Sequence, residues 1–145
     1  MEERKVALSL VIPLYNEEAN ISLLYPKLKA VLDEPGLEYE IILVDDGSTD
    51  GSFSALLDLQ KTDETIKIIK LRGNFGQTAA LAAGFDHARG EIIISMDGDL
   101  QHDPEDIPRF LEKIREGHDI VSGWRENRVD SLLFRRIPSR VANWL

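Results

Sequence analysis

Asp97 and Asp99 stand one residue apart at the end of an apolar run, Ile92-Ile93-Ile94-Ser95-Met96. Side chains at i and i+2 of an extended chain point the same way, and open parallel sheets bind ligands beyond the carboxyl ends of their strands. In that setting the pair makes a fork of hard oxygen donors suited to Mg²⁺ or Mn²⁺, with ligand positions left for diphosphate oxygens. Gly98 between them carries no side chain to crowd a ligand. Gln101 adds a neutral oxygen two residues on, and Asp103, Glu105 and Asp106 deepen the negative field. A plain β-turn would use the same Asp-Gly-Asp tripeptide, so the neighbouring motifs have to decide. His102 is a lone loop histidine, a type more often neither ligand nor base. His87 and His118 fall at helix ends and take no role.

Three more segments lie where a strand-like run stops. Pro13-Leu14-Tyr15-Asn16-Glu17-Glu18 offers backbone carbonyls, a ring and a carboxylate to a base and ribose, although its acids would equally suit the start of a helix. Val44-Asp45-Asp46-Gly47-Ser48-Thr49-Asp50-Gly51-Ser52 contains turn glycines and candidate helix caps in Thr49 and Asp50. Two adjacent acids exceed what a turn needs: one can accept from a ribose hydroxyl or a base imide while the other supports the loop. Phosphoacceptor receiver domains also carry Val-Asp-Asp, but they require a lone aspartate after the third strand, and residues 66–71 end in none. Arg72-Gly73-Asn74-Phe75-Gly76-Gln77 leads through two glycines into a helix start, with room for a phosphate or sugar, although by itself it reads more simply as a glycine-relieved loop. The spacings of an EF-hand, a P-loop and a dinucleotide fingerprint are absent.

These segments need a scaffold of alternating strands and helices. Residues 6–12, 40–44, 66–71, 91–96 and 119–122 are short, rich in β-branched residues and read as strands. Ile21, Leu24, Leu28, Val31 and Leu32 share one helical face, closed by Pro35-Gly36. A second helix carries Phe53, Leu56 and Leu57. A third, over residues 77–88, is built from Ala79, Ala80, Ala82, Ala83 and Gly84, small enough to lie very close to a sheet. A fourth shows Ile107, Phe110, Leu111 and Ile114, with Asp103 as N-cap and Pro104 in the first position. Alternation of this kind predicts an α/β fold, a mostly parallel sheet with right-handed crossovers, in a single domain over residues 1–145. Residues 131–145 look like the start of an amphipathic helix that stops without a cap, as in a piece of a longer protein.

Composition narrows the class. The chain has 145 residues, 43% hydrophobic and 30% charged, enough for one domain with a real core. It contains no cysteine, which excludes disulfides, thiolate ligands and a cysteine nucleophile and fits a reducing compartment. A net charge of −9 argues against nucleic-acid binding. The charge is uneven, however: Arg125, Arg128, Arg135, Arg136 and Arg140 gather near the end against only Glu126 and Asp130, a basic segment suited to phosphate or a membrane surface, although taken alone it reads more simply as a solvated basic helix. The first residues lack the apolar core of a signal peptide, and the run over residues 7–14 is too short to cross a bilayer.

Taken in order, Val11-Ile12-Pro13-Leu14-Tyr15-Asn16-Glu17, Val44-Asp45-Asp46-Gly47-Ser48-Thr49-Asp50, Asn74-Phe75-Gly76-Gln77 with Gly84 and Arg89-Gly90, and Met96-Asp97-Gly98-Asp99-Leu100-Gln101 resemble the family 2 glycosyltransferases of the GT-A fold, a Rossmann-like sheet flanked by helices. The resemblance covers nearly the whole chain and is greatest with polyprenyl-phosphate sugar transferases, including dolichol-phosphate mannose synthases and bacterial prenyl-phosphate glucosyltransferases. It implies a UDP- or GDP-sugar donor, a Mg²⁺ or Mn²⁺ cofactor and a lipid-phosphate acceptor at the cytoplasmic face of a membrane. Pro13, Tyr15, Asn16, Glu17, Asp45 and Asp46 would hold the nucleotide, with Gln77 and Asp97 beside them. Asp97, Asp99 and Gln101 would bind the metal. Gly123-Trp124-Arg125 matches the family's Gly-x-Arg strand end, so that Arg125, Arg135 and Ser139 would face the acceptor phosphate, and Asp99 and Arg125 would be catalytic. GT-A domains of this type continue well beyond this point, often into membrane helices. Two alternatives stand beside this reading: transfer to a glycan hydroxyl in surface-polysaccharide synthesis, or a nucleotide-binding module without turnover. Leu133, Ile137, Val141 and Trp144 form an apolar stripe that a second copy could cover in a homodimer.

Overall fold

A computed structural model describes residues 5–34 and 36–123. Four strands, β1 (Leu8–Leu14), β2 (Tyr39–Asp45), β3 (Ile66–Lys70) and β4 (Ile92–Ser95), alternate with α1 (Glu18–Leu32), α2 (Ser52–Thr62) and α3 (Gln77–His87). A 3₁₀ turn (Pro104–Asp106) then leads into α4 (Ile107–Arg115). The sheet is wholly parallel in the order β3-β2-β1-β4. This is the α/β architecture expected from the alternation, and its order differs from the 2-1-3-4-5 order of flavodoxin-like and receiver folds.

Strand alternation divides the core between the two faces of the sheet. Leu8, Leu10, Ile12 and Leu14 of β1 and Ile41 and Leu43 of β2 pack with Ile21, Leu24, Leu28 and Leu32 of α1, Leu56 of α2, and Ile107 and Leu111 of α4. Val11, Ile42 and Val44 face Ala80 of α3 on the other side. There the small side chains of α3 let backbone approach backbone: a Cβ on Gly84 would lie 2.3 Å from Val11 Cγ1.

β4 ends at Ser95, so its paired acids sit beyond the strand and not on it. The reason lies in β1. The backbone of Val11 faces β4, and its carbonyl accepts from Met96 N at 3.1 Å. The next donor on that side would be Pro13, which has no N–H. The ladder stops there, and residues 98–100 bend, with Leu100 at φ 63°. Residues 119–122, expected as a strand, form none. A strand exists only by pairing, and Ile120 is 87% exposed with no ladder partner among the described residues.

Contacts divide the chain into one unit, Met1–Glu112, and a second, Lys113–Leu145. In the described part of the second, Lys113 Nζ donates to Glu116 Oε2 at 3.0 Å. No helix among the described residues is long and apolar enough to cross a membrane.

Candidate donor-binding cleft

Strand order reverses between β1 and β4, the place where doubly wound sheets open a crevice. A cleft of about 330 Å³ lies there, lined by Pro13, Leu14, Tyr15 and Glu17 after β1, Asp46 after β2, Asn74, Gly76 and Gln77 at the start of α3, and Asp97, Gly98 and Asp99 after β4. Its volume is in the range of small-molecule sites. Seven of the residues expected at a site therefore meet in one place: Pro13, Tyr15, Glu17, Asp46, Gln77, Asp97 and Asp99.

Three expected residues stand outside the lining. Asn16, at φ 52°, uses its side-chain carbonyl to accept from Thr49 N at 2.8 Å and Asp50 N at 3.3 Å. Asp45 is fully buried, and its Oδ1 accepts from Ser48 N at 3.2 Å. Its Oδ2 has no hydrogen-bond partner among the described residues. Gln101 is exposed, and its backbone N–H donates to Asp99 Oδ1 at 3.1 Å. Arg125, Arg135 and Ser139, the residues expected at the acceptor, lie outside the described residues, as do Trp144 and the apolar stripe.

The two adjacent acids after β2 divide their work. Asp46 clasps the third loop: Oδ1 accepts from Phe75 N at 2.8 Å and Oδ2 from Gly76 N at 3.0 Å. Gly47, at φ 73°, permits this approach, since a Cβ there would lie 2.3 Å from the backbone carbon of Gly73. The first and second loops are joined by Asn16 N donating to Ser48 Oγ at 3.0 Å, Glu17 N to Ser52 Oγ at 2.9 Å, and Gly51 N to Glu18 Oε2 at 3.0 Å. The N-cap of α2 is Gly51, with no side-chain cap, and not Thr49 or Asp50 as expected; Asp50, one residue earlier, still accepts from Ser52 N at 2.9 Å in the first turn.

On the β4 side, Gln77 Nε2 donates to Asp97 Oδ1 at 2.6 Å, while Asp97 N donates to His102 Nδ1 at 3.2 Å. His102 thus braces the acid loop, a role its isolated position in the sequence did not reveal. Asp97 and Asp99 each have one oxygen held by a neutral donor, and the other accepts no hydrogen bond among the described residues. Gly98 between them is buried, with no space for a Cβ, which would fall 2.1 Å from Leu14 Cδ2. No cluster of three or more His, Cys, Asp or Glu suited to a metal occurs among the described residues. Two carboxylates nevertheless suit a cation of the Mg²⁺ type, which takes one or two protein carboxylates and completes its shell with substrate phosphates and water.

A buried carboxylate braces the scaffold at the other end of the sheet. Glu40 accepts from Ser9 Oγ at 2.7 Å and Arg89 N at 2.8 Å, and pairs with Arg89 Nη2 at 3.2 Å. Burial alone would raise the Glu40 pKa, but these bonds hold it below its usual value. A charged residue beginning an otherwise apolar strand was the signal for this brace.

A parallel sheet with a ligand-sized cleft at its switch point defines an α/β domain of the doubly wound class. The match to glycosyl transferase family 2 extends over residues 9–144, and the chain belongs to that family. It is 44% identical, over 98% of its length, to dodecaprenyl-phosphate galacturonate synthase of Rhizobium johnstonii. Among solved structures it resembles S. aureus TarS 1–349 in complex with UDP-GlcNAc, at a TM-score of 0.66 and 26% identity over 89% of the chain. It also resembles the mannosyltransferase PcManGT of Pyrobaculum calidifontis in complex with GDP-Man and Mn²⁺, at a TM-score of 0.58 and 29% identity over 63% of the chain. The chain spans 43% of the Rhizobium relative, 38% of TarS and 27% of PcManGT.

Proposed function

We propose that this chain is the donor-binding part of an inverting glycosyltransferase that moves one sugar from a UDP- or GDP-sugar to a polyprenyl phosphate. The observation that carries this reading is the single cleft onto which Tyr15, Glu17, Asp46, Asp97 and Asp99 converge. The choice of acceptor draws on the relative named dodecaprenyl-phosphate galacturonate synthase. The choice of donor draws on neighbours that hold UDP-GlcNAc or GDP-Man.

In the proposed reaction an acceptor phosphate oxygen bonds to the anomeric carbon from one side. The bond from that carbon to the donor diphosphate breaks on the other, and the nucleoside diphosphate departs with the electron pair. Tyr15, Glu17 and Asp46 hold the nucleoside end of the donor, and Asp97 and Asp99 face its diphosphate. Those two carboxylates would hold a Mg²⁺ or Mn²⁺ ion, which when bound neutralises charge gathering on the leaving group. An acceptor phosphate is already anionic at neutral pH, so no general base is required of this chain. Arg125 and Arg135, with Ser139, are assigned to the acceptor, where guanidinium groups suit bidentate capture of phosphate. The reaction is assigned to the cytoplasmic face of a membrane.

The test is thermal. Mn²⁺ together with UDP or GDP should raise the melting temperature, and Asp99→Ala should abolish the metal-dependent part of the shift. A chain indifferent to both nucleotides, with and without metal, refutes the reading.

A further inference from the structure

We infer that Gln77 is a positioning residue for the Asp97 carboxylate, holding Asp97 Oδ1 so that its other oxygen serves the cation, and is not itself a nucleotide contact. The inference rests on the proposed donor reading. Gln77 Nε2 donates to Asp97 Oδ1 at 2.6 Å, from the first residue of α3 to the loop after β4. That bond commits one of the amide's two N–H donors to a carboxylate twenty positions away and sets the direction of the whole group. A neutral donor to one oxygen fixes the carboxylate without neutralising its charge, and such outer partners set the orientation and affinity of metal ligands.

The position of Gln77 is fixed in turn. Asp46 accepts from Phe75 N and Gly76 N, the two residues before the helix, and Gly76 caps it at φ 96°. A line of hydrogen bonds therefore runs from the end of β2 through the start of α3 to the end of β4. The two acids at its ends, Asp46 and Asp97, both border the cleft. Asp97 is held from a second direction by its own N–H donating to His102 Nδ1. One carboxylate in the cleft is thus pinned by side chain and backbone together, as a fixed half of a cation site requires.

Gln77→Met keeps length and removes the donor at an exposed position. Mn²⁺ binding to the full chain, followed by the loss of the free-ion paramagnetic resonance signal at saturating UDP or GDP, should weaken about tenfold in this variant, the usual size of an outer-partner effect. Nucleotide affinity without metal and the melting temperature of the ligand-free chain should stay as in the wild type. Adding Gln77→Met to Asp97→Ala should cost nothing further, because the residue acts only through that carboxylate. Mn²⁺ affinity within twofold of wild type overturns the inference and leaves the donor reading intact. So does an equal loss of metal-free nucleotide affinity, which would make Gln77 a direct contact, or an undiminished tenfold loss on top of Asp97→Ala. A wild-type chain that takes up no Mn²⁺ beside nucleotide removes the cation from the donor reading, and this inference falls with it.

Discussion

Asn16 sits at φ 52°, a backbone angle that few side chains other than glycine and asparagine accept, and its carbonyl answers the N–H groups of Thr49 and Asp50. Reading along the chain groups Asn16 with its neighbours Tyr15 and Glu17, since all three follow the same strand. Nothing in the linear order shows that its partners lie more than thirty residues away. Asp45 and Asp46 were indistinguishable for the same reason: only the fold shows that one is sealed off and the other bridges to residues 75 and 76. Asn16→Ala forces alanine into the left-handed region and leaves two backbone donors unanswered, and should cost about 1–3 kcal/mol in urea denaturation. Asn16→Gly removes the backbone strain but not the lost bonds, so its cost should be the smaller of the two. Equal losses would mean that the hydrogen bonds alone matter.

At the level of elements, hydrophobic period and turn residues were enough to locate four strands and four helices, because each pattern reports burial directly. Asp103 caps as expected, accepting from Glu105 N at 3.0 Å behind Pro104. Two strand boundaries needed information that the local pattern does not carry. The end of β4 depends on a missing N–H in β1, some eighty residues earlier, and residues 119–122 have strand composition but no neighbour to pair with among the described residues. The alanine-rich face of α3 was legible, and its consequence is steric. Gly84→Ala would drive a methyl group into Val11, a stiff β-branched side chain that is fully buried, and should destabilise by roughly 1–3 kcal/mol. Adding Val11→Ala should recover part of that loss in thermal melts, whereas a loss unrelieved by the second change would place the strain elsewhere.

Across the molecule as a whole, the cleft occupies the edge of the sheet where the strands finish, and a second polar cluster occupies the edge where they begin. Lys29 Nζ reaches Asp63 Oδ2 at 3.0 Å and Asp33 Oδ1 at 3.1 Å and donates to the Tyr39 hydroxyl. Tyr25 donates to Asp63 at 2.7 Å. Burial alone would raise the Asp63 pKa, but bonds from Thr65, Tyr25 and Lys29 hold it well below the usual carboxylate range. Burial would lower that of Lys29, yet its bonds to Tyr39, Asp63 and Asp33 keep it above the usual ammonium value. The Tyr25 phenol is pushed up to about 12, first by burial and then by the Asp63 carboxylate. A depressed carboxylate stabilises the fold above its unfolded pKa of about 4, and that stabilisation is lost as pH falls through the folded value. A raised ammonium stabilises below its unfolded pKa of about 10.4 and ceases to as pH climbs through the folded value. The cluster should therefore contribute fully from about pH 4 to pH 10. Asp63→Asn should cost about 1.5–3 kcal/mol at neutral pH and flatten the acid limb of stability measured by urea denaturation across pH. An acid limb as steep as that of the wild type would assign the dependence to other carboxylates.

The sheet's two rims are thus furnished separately, and selection can treat them so. Whatever hardens the rim where strands begin leaves the cleft rim chemically untouched, so tolerance of heat or acid and the choice of ligand at the cleft are free to drift apart among descendants of this chain.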